Sequence, residues 1–187
     1  MGTSRRGILK GGVAFLGGLV AAGSGRFPFG RSAARAAVPA DGGPATLELH
    51  GVGWSVSSRS LQPGRFPRTG DRMTASGTLL DGPAGTPVGA FFGTYMGLHD
   101  PGHDGPEGIA SLEHHTFRLA EGSIMGTGVG TRHDDEPDTF AIVGGTGRYT
   151  GARGSYVATQ RHRELGGDGT ALITMTIFLE GERHGTG

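Results

Sequence analysis

Residues 140–156, with the sequence FAIVGGTGRYTGARGSY, restrict the possible fold of this chain more than any other segment. Strand-forming residues occupy Thr139–Val143, and a glycine cluster follows them. The cluster consists of Gly144, Gly145 and Gly147. Glycine accepts the positive φ that tight turns require, whereas β-branched residues resist it. A strand restarts at Tyr149, where Gly151 and Gly154 would allow a bend or a bulge. The segment therefore predicts a β-hairpin.

The rest of the chain after the N-terminal segment shows the same strand-and-turn pattern, with short alternating or apolar runs separated by glycine, proline and aspartate. No window predicts an amphipathic helix, and the 39 glycines would penalise one. Eight antiparallel strands in a chain of this length can close into a β-barrel, which leaves no exposed sheet edge. The predicted strands are Thr46–Ser57, Arg72–Leu80, Val88–Gly97, Ile109–Leu119, Ser123–Thr131, Thr139–Val143, Tyr149–His162 and Thr170–Leu179.

The last predicted strand is apolar on both faces. One face carries Ala171, Ile173, Met175, Ile177 and Leu179, and the other carries Leu172, Thr174, Thr176 and Phe178. A single sheet with one solvated side should show a polar outer face here. The pattern predicts the barrel cavity on one side and either another subunit or a long loop on the other.

The N-terminus predicts export. The segment 4–10, SRRGILK, matches the twin-arginine export motif, and an apolar, glycine-rich run follows from Gly11 to Gly25. That run is too short for a comfortable membrane span, and Ala34–Ala36 offers an A-x-A cleavage site. We predict that residues 1–36 are a removed signal peptide and that residues 37–187 form one secreted or cell-envelope domain. The alternative is a retained anchor or a tail without fixed structure.

Composition narrows the classes of function. The predicted signal holds six of the 17 basic residues and none of the 17 acidic ones, so the mature chain would carry a net charge of −6. That balance argues against nucleic acid or an anionic membrane as the partner. The single lysine, Lys10, lies in the signal, which excludes lysine Schiff-base chemistry. The chain has no cysteine, so disulfides, thiolate nucleophiles and cysteine-ligated metals are excluded.

Four segments together resemble the dirigent and allene oxide cyclase β-barrels. Residues 141–154 resemble the signature hairpin of that family most strongly, and residues 70–81, 87–95 and 116–124 resemble three further strand and turn motifs in the same order. The resemblance implies an eight-stranded antiparallel barrel, usually trimeric, that binds a small hydrophobic ligand and needs no metal or organic cofactor. It implies either a cyclase or isomerase or a protein that directs the stereochemistry of a coupling reaction. A barrel that only carries a lipid or a phenolic compound is the alternative.

The resemblance transfers few functional residues. Arg153 in the A-R-G sequence matches an arginine associated with the dirigent pocket, where its rigid fork could hold an oxyanion or a carboxylate. The alternative is an outward arginine paired across the strand. The cysteine linked to the allene oxide cyclase reaction is absent, which argues against that substrate.

The remaining candidates come from strand patterns. Glu113, His115 and Phe117 share one face of a predicted strand, and His114, Thr116 and Arg118 share the other. A histidine and a glutamate inside an apolar barrel could transfer protons, whereas a solvated face would leave them without that role. We predict Arg153, Glu113, His115 and Tyr95 as catalytic residues. We predict that the ligand contacts Phe117, Tyr149, Tyr156 and Met175, although tyrosines of this kind also serve as barrel packing.

Two polar loops offer weaker metal interpretations. His99–Asp104 contains imidazole and carboxylate groups, but their spacing is not a zinc pattern. His133–Asp138 is acidic, yet it lacks the glycine and the ligand order of an EF-hand. Solvated loops explain both segments, and we predict no metal site.

Overall fold

The computed structural model describes residues 43–58, 68–99, 109–131 and 137–179. These residues form a closed antiparallel β-barrel in which every strand pairs with the next and the last strand pairs with the first. The predicted fold class is therefore confirmed. The strands are β1 (Ala45–Ser57), β2 (Arg72–Leu80), β3 (Pro87–His99), β4 (Ile109–Leu119), β5 (Gly122–Gly130), β6 (Asp138–Gly145), β7 (Arg153–Arg161) and β8 (Thr170–Phe178).

The hairpin between β6 and β7 differs from its prediction. β6 continues through Gly144 and Gly145, and of the three turn glycines only Gly147 has a positive φ, of 60°. The predicted strand restart at Tyr149 is wrong, because Gly147–Tyr149 is a single 3-10 turn. This turn places the Tyr149 backbone against Gly145, where any side chain would collide with it. β7 begins only after the chain has left that turn.

The barrel has two unlike ends. The connections β1–β2, β3–β4, β5–β6 and β7–β8 all leave one end, and we call it the long-connection end. The opposite end is closed by the shorter β2–β3 and β4–β5 turns and by the 3-10 turn before β7. Binding and catalytic groups are disproportionately placed on loops held by a rigid scaffold, so the long-connection end is the natural place to look for a site.

Inward and outward side chains alternate as a barrel requires. In β8, Met175 and Ile177 are fully buried, whereas Leu172 and Phe178 keep 42% and 51% of their surface exposed. A β-bulge in β1 resets this alternation, since Gly53 has a φ of 66° and the pairing with β2 shifts between Val52 and Ser55. The bulge turns Trp54 into the core, where it is fully buried.

Some sequence predictions fall outside the described residues. They are the signal peptide over residues 1–36, most of the His99–Asp104 segment and most of the His133–Asp138 segment. Among the residues that the structure does describe, no helix is long and apolar enough to cross a membrane.

Candidate functional site

The inner face of β4 carries a buried glutamate and a buried histidine. Glu113 is 5% exposed and His115 is 2% exposed. Phe117 follows them on the same face and is fully buried. His114 and Arg118 point outward and are exposed. Of the two faces that the sequence left open, the one with Glu113 therefore lies inside the barrel.

The Glu113 carboxylate is held from several sides. The Ser111 hydroxyl donates a hydrogen bond to its Oε1 atom at 2.6 Å, and the Gln160 amide donates to its Oε2 atom at 3.1 Å. Nε2 of His115 lies 2.9 Å from the same Oε2 atom. That approach is too oblique for a directed hydrogen bond, and Nε2 has no hydrogen-bond partner among the described residues. The carboxylate is thus fixed in orientation, with an imidazole beside it.

His115 links this carboxylate to a tyrosine. Its Nδ1 atom lies 2.6 Å from the Tyr156 hydroxyl, and both side chains are buried. When the hydroxyl donates to Nδ1, the imidazole proton sits on Nε2 and faces Glu113. When Nδ1 donates instead, the tyrosine oxygen is the acceptor. Glu113, His115 and Tyr156 therefore form one buried polar line, in which a hydrogen bond joins His115 to Tyr156 and a 2.9 Å approach places His115 beside Glu113.

Gln160 connects the line to the long-connection end. Its Oε1 atom accepts hydrogen bonds from the Trp54 indole at 3.0 Å and from the Tyr95 hydroxyl at 2.9 Å. Because both donors occupy the oxygen, the amide nitrogen must face Glu113. Sequence reasoning missed Gln160 and Ser111. A strand period of two would have placed Gln160 on the face of Tyr156 and Ser111 on the face of Glu113.

Aromatic rings surround the polar line. Trp54 stacks on Phe91 with ring centroids 4.1 Å apart, and Phe140 stacks on Tyr156 at 5.1 Å. The His115 ring lies 4.8 Å from that of Phe140. Met175 is fully buried and is the register partner of Tyr156 on β8. The surroundings are therefore apolar, and they strengthen any electrostatic interaction within the cluster.

Inward-facing glycines make room for these rings. A Cβ atom at Gly51 would lie 2.6 Å from the Trp54 ring, one at Gly93 would lie 2.9 Å from the Tyr95 ring, and one at Gly128 would lie 2.8 Å from the Phe140 ring. Real Cβ atoms do not approach other atoms so closely. The high glycine content thus belongs partly to the barrel interior and not only to turns.

The family of the chain follows from comparison with known proteins. A model of the allene oxide cyclase barrel-like domain matches residues 56–166, which is more than half of the sequence. The chain belongs to this family. The match agrees with the resemblance seen in the sequence. No curated protein matches the chain.

Several solved structures share the fold of this allene oxide cyclase barrel-like domain. A pyocyanin demethylase is 20% identical, with a TM-score of 0.55, and the match covers 71% of this chain and 98% of that one. A pterocarpan synthase dirigent protein is 18% identical, with a TM-score of 0.56 and coverages of 72% and 94%. The Diels–Alderase AbmU from Streptomyces koyangensis is 18% identical, with a TM-score of 0.56 and coverages of 72% and 64%.

The structure separates the predicted site residues into two groups. Six of them line the interior of the barrel, namely Tyr95, Glu113, His115, Phe117, Tyr156 and Met175. Arg153 is exposed, and its guanidinium donates to the backbone oxygens of Val143 at 3.2 Å and Ala152 at 2.8 Å. Tyr149 is buried in the 3-10 turn at the opposite end of the barrel. The roles predicted for Arg153 and Tyr149 stay predictions. Neither residue lies beside Glu113.

Two other features bear on where a ligand could bind. A cleft of about 540 Å³ lies near the long-connection end, lined largely by outward-facing side chains of β2, β3 and β4. Its lining includes Tyr95 but not Glu113, His115 or Gln160, so the cleft and the polar line are separate.

The described residues contain no group of three or more His, Asp or Glu side chains arranged to hold a metal ion.

The three tyrosines of the chain should resist ionisation together. Burial, and then the charge of Glu113, raise the pKa of Tyr95 and of Tyr156 above 10.0. Burial, and then the charge of Glu121, raise the pKa of Tyr149. An unfolded tyrosine ionises near pH 10. The contribution of these three buried tyrosines to the free energy of unfolding is therefore fully present below about pH 10 and is lost as the pH rises above it.

We expect the folded chain to show no tyrosinate absorbance at pH 10, and the signal to appear only when the circular dichroism of the β-sheet is lost. The measurement is an alkaline titration that records both signals on one sample. Tyrosinate that forms while the β-sheet signal is unchanged would show that at least one of these hydroxyls is accessible.

Proposed function

We propose that the barrel binds a small hydrophobic molecule in its interior and catalyses a cofactor-independent cyclisation or isomerisation, or directs the stereochemistry of a coupling reaction. The observation that carries this proposal is the line of Glu113, His115 and Tyr156, buried within an aromatic barrel. Among the solved structures with this fold, the Diels–Alderase supports ring-forming chemistry and the pterocarpan synthase dirigent protein supports a dirigent-like role.

The polar line favours chemistry over simple carriage. Removing a carboxylate from water costs several kcal/mol unless partners compensate for it. An apolar wall alone would hold a lipid or a phenolic compound, so a carrier gains nothing from a buried carboxylate and imidazole. A site that moves a proton on and off a substrate needs both groups, because one accepts the proton and the other can return it.

Each group in the cluster has a distinct chemical role. Glu113 accepts or returns the substrate proton, in an orientation set by Ser111 and Gln160. His115 exchanges a proton with Tyr156 behind it. The aromatic rings restrict the conformations of the ligand, and orientation of this kind can supply a large part of a rate enhancement.

The test of this proposal uses 5-nitrobenzisoxazole, a small apolar ring. A base removes the one proton of its isoxazole ring while the N–O bond breaks. The carbon and nitrogen become a nitrile and the oxygen becomes a coloured phenolate on the same molecule, so no co-reactant is needed. We expect the purified chain to open this ring with saturation kinetics, and faster than an equal concentration of acetate and imidazole. A rate that is not saturable and no faster than those free bases would overturn the assignment of a proton-transferring interior.

Export and assembly belong to the proposal as well. We propose that the twin-arginine route exports the protein, for which the segment 4–10 is the support, and that the barrel is a homotrimer. The apolar side chains on the outer face support an assembly, since Val129, Val143 and Phe178 are each at least half exposed.

A further inference from the structure

We propose that the ligand of this interior site is an organic cation, such as a protonated amine carried on a small ring system. This inference rests on the proposed function, because it requires that the interior takes up a ligand. It names the charge of that ligand, which neither the fold nor the family supplies.

The first support is the set of charges inside the barrel. Among the described residues the buried polar side chains are Glu113, His115 and His162. No arginine in the described part of the chain is buried, and the only lysine in the sequence is Lys10. Within the described part of the chain, Glu113 is therefore a buried carboxylate without a buried arginine or lysine beside it.

The described partners of Glu113 include no permanently charged group. The Ser111 hydroxyl and the Gln160 amide are both neutral donors. Of the described side chains in contact with Glu113, His115 is the one that could carry a positive charge. Its Nε2 atom approaches Oε2 obliquely at 2.9 Å, while its Nδ1 atom is engaged with Tyr156. A cationic ligand would provide the charge that these partners lack, and the low dielectric of the interior would strengthen the attraction.

The walls of the site favour the same class of ligand. A cation is attracted to the face of an aromatic ring, most strongly to tryptophan and tyrosine. Trp54, Phe91 and Tyr95 lie on the side of Gln160, and Phe140 and Tyr156 lie on the side of His115. A carboxylate ligand would find no buried arginine among the residues that the structure describes, and Glu113 would repel it.

The test is a set of probes that share one ring system and differ in charge. They are 2-aminoindane, which is a cation at neutral pH, 2-indanol, which is neutral, and indane-2-carboxylate, which is an anion. Trp54 is the only tryptophan in the chain and is hydrogen-bonded to Gln160, so its fluorescence reports binding at the site. We expect 2-aminoindane to bind about tenfold more tightly than 2-indanol, because both can donate a hydrogen bond to Glu113 but only the ammonium adds an attraction between opposite charges. A tenfold ratio corresponds to about 1.4 kcal/mol. The carboxylate should bind more weakly than both.

The outcomes separate this inference from the proposed function. If 2-indanol or the carboxylate binds as tightly as the amine, the inference is overturned and the ligand site survives. If none of the three probes changes the fluorescence of Trp54, the interior takes up no ligand of this size and both proposals fail. The ranking uses the wild-type chain and therefore does not depend on whether a variant folds.

Two variants then test whether Glu113 causes the preference for the amine over 2-indanol. Glu113→Gln should remove the tenfold advantage of the amine and leave the affinity for 2-indanol within about twofold. Glu48→Gln is the matched control, because Glu48 is an exposed glutamate that also lies 2.9 Å from a histidine, His50. The control should retain the wild-type ranking. An equal loss in both variants would assign the effect to net charge and would overturn a specific role for Glu113.

Discussion

Replacement of Glu113 by glutamine is expected to lower the rate of 5-nitrobenzisoxazole opening by at least about 100-fold. A positioned general base typically contributes a factor of about 10² to 10⁴, and an amide cannot accept the proton. Glutamine keeps the length and shape of glutamate, so the barrel should still close around it. The measurement is the saturable rate at neutral pH, read from the coloured phenolate and compared with that of the wild-type chain.

Two further measurements decide what a loss of rate means. The circular dichroism and the unfolding midpoint of Glu113→Gln should stay close to those of the wild type, which would exclude misfolding as the cause. The exposed control Glu48→Gln should keep its full rate. If the Glu113→Gln chain is folded and equally fast, the base lies elsewhere. The polar line of Glu113, His115 and Tyr156 then has a structural role only.

Replacement of Trp54 by alanine is expected to lower the free energy of unfolding by about 3–5 kcal/mol, the usual cost of truncating a buried tryptophan. Trp54 is fully buried, stacks on Phe91 and donates a hydrogen bond to Gln160. The variant loses these contacts and leaves a cavity between strands that cannot collapse easily, because a closed barrel has a fixed circumference. Denaturant unfolding followed by circular dichroism measures the change.

The glycine opposite this ring provides a sharper test of the same packing. The nearest atoms to a Cβ at Gly77 all belong to Trp54, with Cζ3 at 2.8 Å and Cε3 closer still. Gly77→Ala should therefore cost about 1–3 kcal/mol in the wild type, as overpacking usually does. The same substitution should cost far less in a Trp54→Ala background, and the difference is a coupling energy. Equal costs in the two backgrounds would show that Gly77 is required for the backbone and not for the ring.

The strand pattern predicted most of the architecture. β2 and β4 begin and end where alternation placed them, at Arg72–Leu80 and Ile109–Leu119. The error fell on the glycine turn after β6, where Tyr149 was assigned to a strand and lies in a 3-10 turn. Glycine permits several turn geometries, so the one adopted depends on contacts with residues distant in sequence, such as Glu121 and Ser123, which accept hydrogen bonds from the turn.

The candidate site shows the same division between local and distant information. The sequence identified Glu113, His115 and Tyr156 as useful chemical groups, but a period of two does not say which face of a strand lies inside. Gln160 was not predicted as a site residue, because a lone glutamine belongs to no sequence motif. Its importance arises from Trp54 and Tyr95, which lie 106 and 65 residues away along the chain.

The sequence by itself determined that this chain is an all-β barrel of a recognisable family. Strand alternation, glycine turns and the order of the motifs are local properties that can be read directly from the residues. Only the tertiary structure decided that Glu113, His115 and Tyr156 form one buried line and that Arg153 lies outside it. Barrel closure brings inner side chains of β4 and β7 into contact, and the bulge at Gly53 turns Trp54 inward. Both effects depend on pairings between distant strands, which no local pattern of residues encodes.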